Sequence, residues 1–264
     1  KTVRRQRQMC IRDRIKTIQK TKFSEVYECR LDGKDAILKI KTDCTFENDI
    51  GIEEIIVNRL HKLNLTPRIL HADTQKKVVI YEKVIGSDLS TTPKANIISK
   101  CAKQLKKLHN SNIVCDDCSS FKSKIKKYEH AIAQKTSNLF YRSAFMFIYK
   151  LAARDKHQVF CHNDLNLSNI MYSDDIFFID WDYAGFNHPY FDLALLFNAM
   201  NLTSNEEYNF LSIYADQENN IDHDLLKEYK KMSLYVEYLW IVATSSQENP
   251  KYATRFDELT TLLR

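Results

Sequence analysis

The feature that most constrains this chain is the segment 161–194, which contains C-H-N-D-L-N-L-S-N-I-M-Y, then I-F-F-I-D-W-D-Y-A-G-F and P-Y-F-D-L-A. Two short runs of β-branched and aromatic residues, Val159–Cys161 and Ile176–Ile179, flank its polar part and are typical of buried strands. An acid follows the first run at a short distance, and a second acid, Asp180, directly follows the second. The spacing therefore predicts polar side chains on loops at the ends of strands.

Three of these polar residues have the chemistry that phosphoryl transfer needs. A carboxylate at Asp164 can accept or orient the proton of an attacking hydroxyl group. Asn169 and Asp180 add an amide oxygen and a carboxylate, and such hard oxygen ligands suit Mg²⁺ bound together with the phosphates of ATP. Asp164 alone would fit a helix N-cap or a turn, but the three together favour a catalytic site.

Residues 15–85 are predicted to form a small α+β lobe. Its elements are two strands around the turn Asp32-Gly33, then a helix with apolar residues at helical spacing, then a third strand that Gly86 closes. The predicted bounds are Val26–Leu31, Ala36–Ile40, Ile52–Leu63 and Val78–Val84.

Residues 86–264 are predicted to form a larger, mostly helical lobe around the two short strands of the polar segment. The apolar spacing is helical in four stretches. These stretches are Ile97–His109, Phe121–His130, Ala144–Ala153 and Leu225–Ser245.

The positive net charge of +5 is concentrated at the start of the chain. Residues 1–14 hold six of the 39 Lys and Arg and one of the 34 Asp and Glu, so the remainder carries 33 of each. The run R-R-Q-R-Q-M-C-I-R-D-R resembles translated sequencing-adapter sequence, and we expect this leader to be non-native. The alternative is a basic arm for nucleic acid or acidic lipid; otherwise we expect no nucleic-acid partner.

The seven cysteines are scattered along the chain. Cys115 and Cys118 form a lone CxxC without a second Cys or His pair at zinc-ligand spacing, so a loop with two free thiols is expected. The sequence contains neither a secretory apolar region nor a long apolar span. We therefore expect a cytoplasmic protein with reduced thiols and no membrane insertion.

The motif H-N-D-x-x-x-x-N followed by I-D-W-D-Y-A-G-x-N-x-P-x-x-D-L-A resembles the choline/ethanolamine kinase family, in the bacterial choline-kinase-like branch of the aminoglycoside-phosphotransferase-like superfamily. The motif identity is confined to residues 160–196, and the layout extends over 15–245. The resemblance implies a bilobal, protein-kinase-like α+β fold that binds ATP and Mg²⁺ in a cleft. It also implies transfer of the γ-phosphate to the hydroxyl group of choline or ethanolamine.

The resemblance also implies a set of nucleotide-binding residues in the small lobe. Lys39 resembles the lysine that contacts the α- and β-phosphates, and Glu53 its ion-pair partner, with Glu54 as the alternative. The segment 81–86 resembles the inter-lobe hinge, where backbone groups of Glu82 and Val84 would bind adenine. The loop 20–24, which would cover the phosphates, contains no glycine, so Ser24 and backbone N–H groups are expected to serve there.

A cationic acceptor needs aromatic faces and carboxylates. Within the motif, Asp182, Tyr183 and Tyr190 are candidates for these contacts. The family resemblance further places Trp240 at the second position of a W-x-x-W pair in a late helix, with Glu237 at the first. The alternative for the late aromatic residues is core packing.

Two further polar residues of the motif are expected to be structural: Asp192 would cap the next helix or brace the catalytic loop, and His162 would brace that loop. Other functions stay open on the sequence alone. The acceptor could be another cationic alcohol, such as thiamine or an aminoglycoside, or the chain could be a catalytically silent nucleotide-binding module of the same fold. The presence of Asp164, Asn169, Asp180 and Lys39 favours an enzyme.

Overall fold

The protein is described by a computed structural model in residues 15–43, 45–92, 97–115, 117–118, 120–136, 138–154, 156–215, 221–246 and 249–263. The leader 1–14 lies outside these residues. Within them, the chain forms a small sheet-rich lobe followed by a larger helical lobe, as predicted.

The small lobe is a five-stranded antiparallel sheet with the order β1-β2-β3-β5-β4 and one helix, α1. Its elements are β1 Lys16–Lys20, β2 Ser24–Leu31, β3 Lys34–Lys41, α1 Ile50–His61, β4 Ile69–Asp73 and β5 Val78–Glu82.

The predicted hairpin of the small lobe is confirmed, and it sets the register of the sheet. Asp32 and Gly33 both have positive φ, +49° and +82°, which suits a tight turn between right-twisted strands. Because side chains alternate along a strand, Leu38 packs in the apolar cluster on one face of the sheet. Lys39 and Lys41 therefore share the opposite face of β3.

Helix α1 begins at Ile50, two residues before the predicted start. Its N-cap is Asp49, whose side chain accepts a hydrogen bond from the Ile52 N–H at 2.9 Å. The buried side of α1 carries apolar residues such as Ile56 and Leu60, together with the acid Glu53. The helix therefore holds a carboxylate inside the protein, facing the sheet.

The connection between the lobes passes close to the second sheet. Strand β5 ends at Glu82, two residues before the predicted end, and β6 (Ser87–Asp88) pairs with β8 (Ile170–Tyr172). A Cβ atom at Gly86 would lie 2.1 Å from the backbone oxygen of Tyr172. Only glycine allows this close approach of the two backbone segments. The boundary between the small and the large lobe, between residues 85 and 86, stays a prediction.

Replacing Gly86 with alanine is expected to lower the free energy of unfolding by about 1–3 kcal/mol, because one backbone segment must shift away from the other. Denaturant unfolding measures the loss. Gly51→Ala is the matched control, since its nearest contact for a new Cβ atom is a side-chain oxygen at 3.3 Å. Equal stability of both variants would contradict the prediction.

The large lobe contains two small sheets and the remaining helices. β7 pairs with β10, and β8 lies between β6 and β9. The elements not yet given are α2 Ile98–His109, α3 Phe121–Ala133, α4 Leu139–Arg154, β7 Val159–Cys161, β9 Ile176–Phe178, β10 Gly185–Asn187, α5 Pro189–Met200, α6 Ser204–Tyr214, α7 His223–Ala243 and α8 Pro250–Leu263.

The four predicted helices of this lobe are confirmed, with ends shifted by at most three residues except that α4 begins five residues before its predicted start. Helices α6 and α8 were not predicted, and α5 was expected without bounds; its N-cap is His188 and not Asp192. Helix α5 is buried around most of its circumference, so it lacks an amphipathic stripe. None of the helices among the described residues is long and apolar enough to cross a membrane.

Cys115 and Cys118 form a disulfide, which corrects the expectation of two free thiols.

Candidate active site

A cleft of about 690 Å³ lies between the start of β2 and the large lobe. It is lined by eight of the thirteen predicted site residues, which come from four separate parts of the chain. These eight are Ser24, Asp164, Asn169, Asp180, Asp182, Tyr183, Glu237 and Trp240. The structure therefore brings the catalytic segment, the start of β2 and the late helix α7 to one place.

The loop after β7 carries Asp164 and fixes its orientation. The Asn169 side-chain amide donates hydrogen bonds to Asp164 Oδ2 at 2.8 Å and to the Asp164 backbone oxygen at 2.9 Å. The Asn166 amide donates to Asp164 Oδ1 at 3.3 Å. Burial, together with the nearby Asp180 carboxylate, raises the pKa of Asp164 to about 8. A carboxyl group with a raised pKa is suited to accept a proton near neutral pH.

Asp192, in the first turn of α5, anchors the loop that carries Asp164. Its carboxylate accepts hydrogen bonds from the backbone N–H groups of His162 and Asn163, both at 2.8 Å. The His162 ring contacts the backbone oxygen of Ile179 at 2.9 Å, which ties the loop to the end of β9. Burial lowers the pKa of His162, so this ring has a supporting position rather than a proton-transfer one.

Asp180 ends the β8–β9 hairpin in the left-handed region, with φ +67°. Asp is one of the residues that tolerate this conformation. The turn places its half-exposed carboxylate in the cleft, beside Asn169. Because the Asn169 amide nitrogen is committed to Asp164, its Oδ1 is the atom left for a metal. Two hard oxygens facing one cleft fit Mg²⁺.

Two lysines of β3 form a buried charge network with three acids. Lys39 Nζ lies 2.6 Å from Asp180 Oδ1, 2.7 Å from Asp182 Oδ2 and 3.9 Å from Glu53 Oε1. Lys41 Nζ lies 2.6 Å from Asp182 Oδ1 and 2.7 Å from Glu53 Oε2. The predicted ion pair of Lys39 with Glu53 is therefore present, and Lys41 is a second and closer partner of Glu53.

Lys41 was not among the predicted site residues, although its position two residues after Lys39 places both on one face of β3. Burial opposes the charge on Lys41, but Asp182 and Glu53 outweigh it and raise its pKa. Of the two acids considered on α1, Glu53 is fully buried and in the network, and Glu54 is partly exposed. Glu54 is thereby excluded as the ion-pair partner of Lys39.

Asp182 was predicted to contact the acceptor, and the structure gives its charge other partners. Both of its carboxylate oxygens lie against lysines, at 2.6 and 2.7 Å. Burial opposes its ionisation, yet Lys39 and Lys41 lower the pKa of Asp182. Asp182 therefore holds the two lysines in place, and its negative charge is neutralised inside the protein.

Tyr190 was also predicted to contact the acceptor, but it does not line the cleft. It is 8% exposed, and its ring packs at right angles to Tyr229 of α7. Its hydroxyl accepts a hydrogen bond from the Asp222 N–H at 2.9 Å. The first turn of α5 directs this side chain into the core, so the prediction is corrected.

The aromatic wall of the cleft joins the two lobes. Trp240 Nε1 donates a hydrogen bond to the Tyr183 hydroxyl at 2.9 Å. The Trp240 ring lies 6.0 Å from that of Phe23 in the small lobe and 5.5 Å from that of Tyr252 on α8. Trp240 thus lines the cleft as a single indole within a cluster of rings.

Glu237 lines the cleft, but its carboxylate is paired with Arg255 of α8. The two Arg255 nitrogens lie 2.8 Å from the two carboxylate oxygens, a bidentate arrangement. Arg255 lies on α8, a helix that the apolar pattern does not indicate, so this partner was not predicted. Glu237 therefore does not offer a free negative charge to an acceptor.

The glycine-free loop between β1 and β2 is held as a turn by its own side chains. The Thr21 hydroxyl oxygen accepts hydrogen bonds from the N–H groups of Phe23 and Ser24, at 3.1 and 3.0 Å. Lys22 Nζ donates to the backbone oxygen of Thr244, which attaches the loop to the large lobe. The N–H groups expected to meet phosphates are thus occupied in this conformation.

The hinge residues Glu82 and Val84 lie at and just after the end of β5. The Glu82 N–H donates to the backbone oxygen of Arg68 at 2.9 Å. Their predicted contacts with adenine stay predictions.

Comparison with known proteins agrees with this geometry. The model of the phosphotransferase enzyme family matches residues 15–229. The protein LicA homolog of Mycoplasma capricolum subsp. capricolum is 26% identical over 233 residues, which cover 87% of this chain and 89% of that relative.

Two solved structures are similar over nearly the whole chain. Choline kinase LicA from Streptococcus pneumoniae has a TM-score of 0.80 at 24% identity, covering 95% of this chain and 93% of that one. A structure of LicA in complex with AMP has a TM-score of 0.77 at 25% identity, covering 94% and 90%. The predicted bilobal kinase-like fold is confirmed. The chain therefore belongs to the phosphotransferase enzyme family, in its choline-kinase-like branch, and is a phosphotransferase that acts on an alcohol group.

Proposed function

We propose that this enzyme transfers the γ-phosphate of ATP to the hydroxyl group of a small amino-alcohol, either choline or ethanolamine. The observation that carries the proposal is the meeting of Asp164, Asn169 and Asp180 with the aromatic residues Tyr183 and Trp240 in one cleft. The similarity to LicA proteins, one of them in complex with AMP, supports a nucleotide and an alcohol as the two substrates.

The catalytic segment and the buried charge network have separate roles in this proposal. Asp164, held by two amide groups, orients the acceptor hydroxyl and receives its proton. Asn169 Oδ1 and the Asp180 carboxylate would hold Mg²⁺, which when bound neutralises charge on the phosphates. Lys39 lies at the edge of this site and would contact the α- and β-phosphates. Asp182 and Glu53 keep Lys39 in position.

The acceptor side of the cleft suits a small organic cation. Tyr183 and Trp240 provide aromatic surface for an ammonium group, and acidic side chains are close by. Other cationic alcohols, such as thiamine and an aminoglycoside, share this chemistry. They are therefore competing acceptors to be tested rather than separate proposals.

The proposal is tested by two measurements on the purified chain. Thermal unfolding with and without ATP and MgCl₂ is expected to show stabilisation, because ligands that bind the native state raise its stability. ADP release is then measured with choline, ethanolamine, thiamine and kanamycin, and turnover is expected with choline or ethanolamine. Stabilisation without turnover on any acceptor would contradict the proposal and favour a silent nucleotide-binding module.

A further inference from the structure

Glu47 lies in the cleft and was not among the predicted site residues. It belongs to the connection between β3 and α1, and its side chain reaches the cleft from the small lobe. The residue is 8% exposed. Its Oε2 atom is enclosed and accepts no hydrogen bond from any described residue. A buried acceptor without a donor costs about 1–3 kcal/mol, so it is a favourable place for a ligand's N–H group.

Five acidic side chains of the described residues line the cleft, and the other four have partners. Asp180 and Asp182 lie against lysines. Glu237 forms its bidentate pair with an arginine, and Asp164 accepts hydrogen bonds from two amide groups. Glu47 is thus the cleft carboxyl group that can take a new cationic partner without breaking an existing pair.

Aromatic side chains and one lysine surround the part of the cleft that Glu47 lines. Tyr128 and Tyr183 line the same cleft, and the Phe46 ring lies 5.3 Å from that of Tyr128. Lys124 Nζ lies over the Tyr183 ring, 5.6 Å from its centroid, and donates a hydrogen bond to the backbone oxygen of Ala184 at 3.3 Å. Burial, together with the charge of Asp182, raises the pKa of Glu47 to about 9. An incoming cation would relieve that unfavourable environment and stabilise the ionised carboxylate.

We propose that Glu47 is a specificity-determining residue of the acceptor pocket, which accepts a hydrogen bond from a primary ammonium group and makes ethanolamine a better acceptor than choline. This inference rests on the proposed function. A primary ammonium group carries three N–H donors, as a lysine side chain does. The trimethylammonium group of choline has none, so it leaves Glu47 Oε2 without a donor when it enters the cleft.

The test compares kcat/KM for ethanolamine and choline in the wild type and in the variants Glu47→Gln and Glu47→Leu. The wild type is expected to prefer ethanolamine by about tenfold or more, because a site built for a hydrogen bond rejects an analogue that lacks it. Glu47→Leu is expected to lose most of this preference, mainly through the KM for ethanolamine, with little change for choline. Glu47→Gln should lose part of it. Glu54→Gln, in the same lobe but outside the cleft, is the control and should keep it.

A binding measurement separates this inference from the proposed function. Calorimetric titration of ethanolamine and of choline, with a non-hydrolysable ATP analogue and MgCl₂ present, should show weaker ethanolamine binding in both Glu47 variants. If the wild type phosphorylates neither acceptor, the proposed function fails, and the titration still decides the role of Glu47. An unchanged ratio of affinities would overturn the inference. So would an equal loss with both acceptors together with a higher requirement for Mg²⁺, which would place Glu47 at the metal.

Discussion

Replacing Asp164 with alanine is expected to lower kcat by a factor of about 10²–10⁴, the usual contribution of a positioned general base. The variant loses the group that orients the acceptor hydroxyl, and the Asn169 amide loses one of its two acceptors. The fold should survive, because the loop is held by hydrogen bonds from His162 and Asn163 to Asp192, which do not involve the Asp164 side chain. Steady-state ADP release measures the effect.

Asp174→Ala is the matched control for this experiment. Asp174 is an exposed acid in the turn between β8 and β9, and it does not line the cleft. Its variant should keep full turnover and an unchanged melting temperature. Unchanged turnover in Asp164→Ala would refute the assignment of the catalytic loop. Among the described residues, Asp164 is the acid whose carboxylate accepts hydrogen bonds from the side-chain amides of Asn166 and Asn169.

Replacing Lys41 with methionine is expected to lower the free energy of unfolding by about 3–5 kcal/mol, the cost of removing one partner from a buried ion pair. The Lys41 side chain is fully buried, between Glu53 and Asp182. Its loss leaves two buried carboxylates with half of their positive charge removed. Denaturant unfolding followed by circular dichroism measures the change.

Lys39→Met is the comparison that separates stability from activity. In this variant Lys41 still pairs with Asp182 and Glu53, and the side chain of Asp180 is 42% exposed, so water can solvate it. The stability loss should therefore be smaller than for Lys41→Met, while the KM for ATP rises. Equal stability losses in the two variants would show that the two lysines share one role, contrary to the geometry.

The catalytic segment was the most predictable part of the site. Asp164, Asn169 and Asp180 lie within 17 positions of one another, between short apolar runs that form β7 and β9. Their arrangement depends on local turns and on strands that are close in the sequence. For this reason the spacing alone was enough to indicate that these three side chains meet in one place.

The residues that give the site its charge were not predictable in the same way. The pairing of Lys41 with Asp182 joins positions 141 apart, and Arg255 reaches Glu237 from a helix that the apolar pattern did not indicate. Asp182 and Glu237 each look like acids available to a substrate when only the sequence is considered. The partner that neutralises each one comes from another part of the fold.

The sequence by itself determined the fold class through its periodicity and the phosphotransferase class through its motif, and its short spacings indicated Asp164, Asn169 and Asp180 as candidates for one site. Only the tertiary structure decided which acid of the cleft has a carboxyl oxygen without a partner. Asp182 and Glu237 are neutralised by residues that packing brings to them, whereas Glu47 reaches the cleft without a hydrogen-bond donor for Oε2. The free energy of a buried charge depends on its neighbours in space, and these are set by how the two lobes pack.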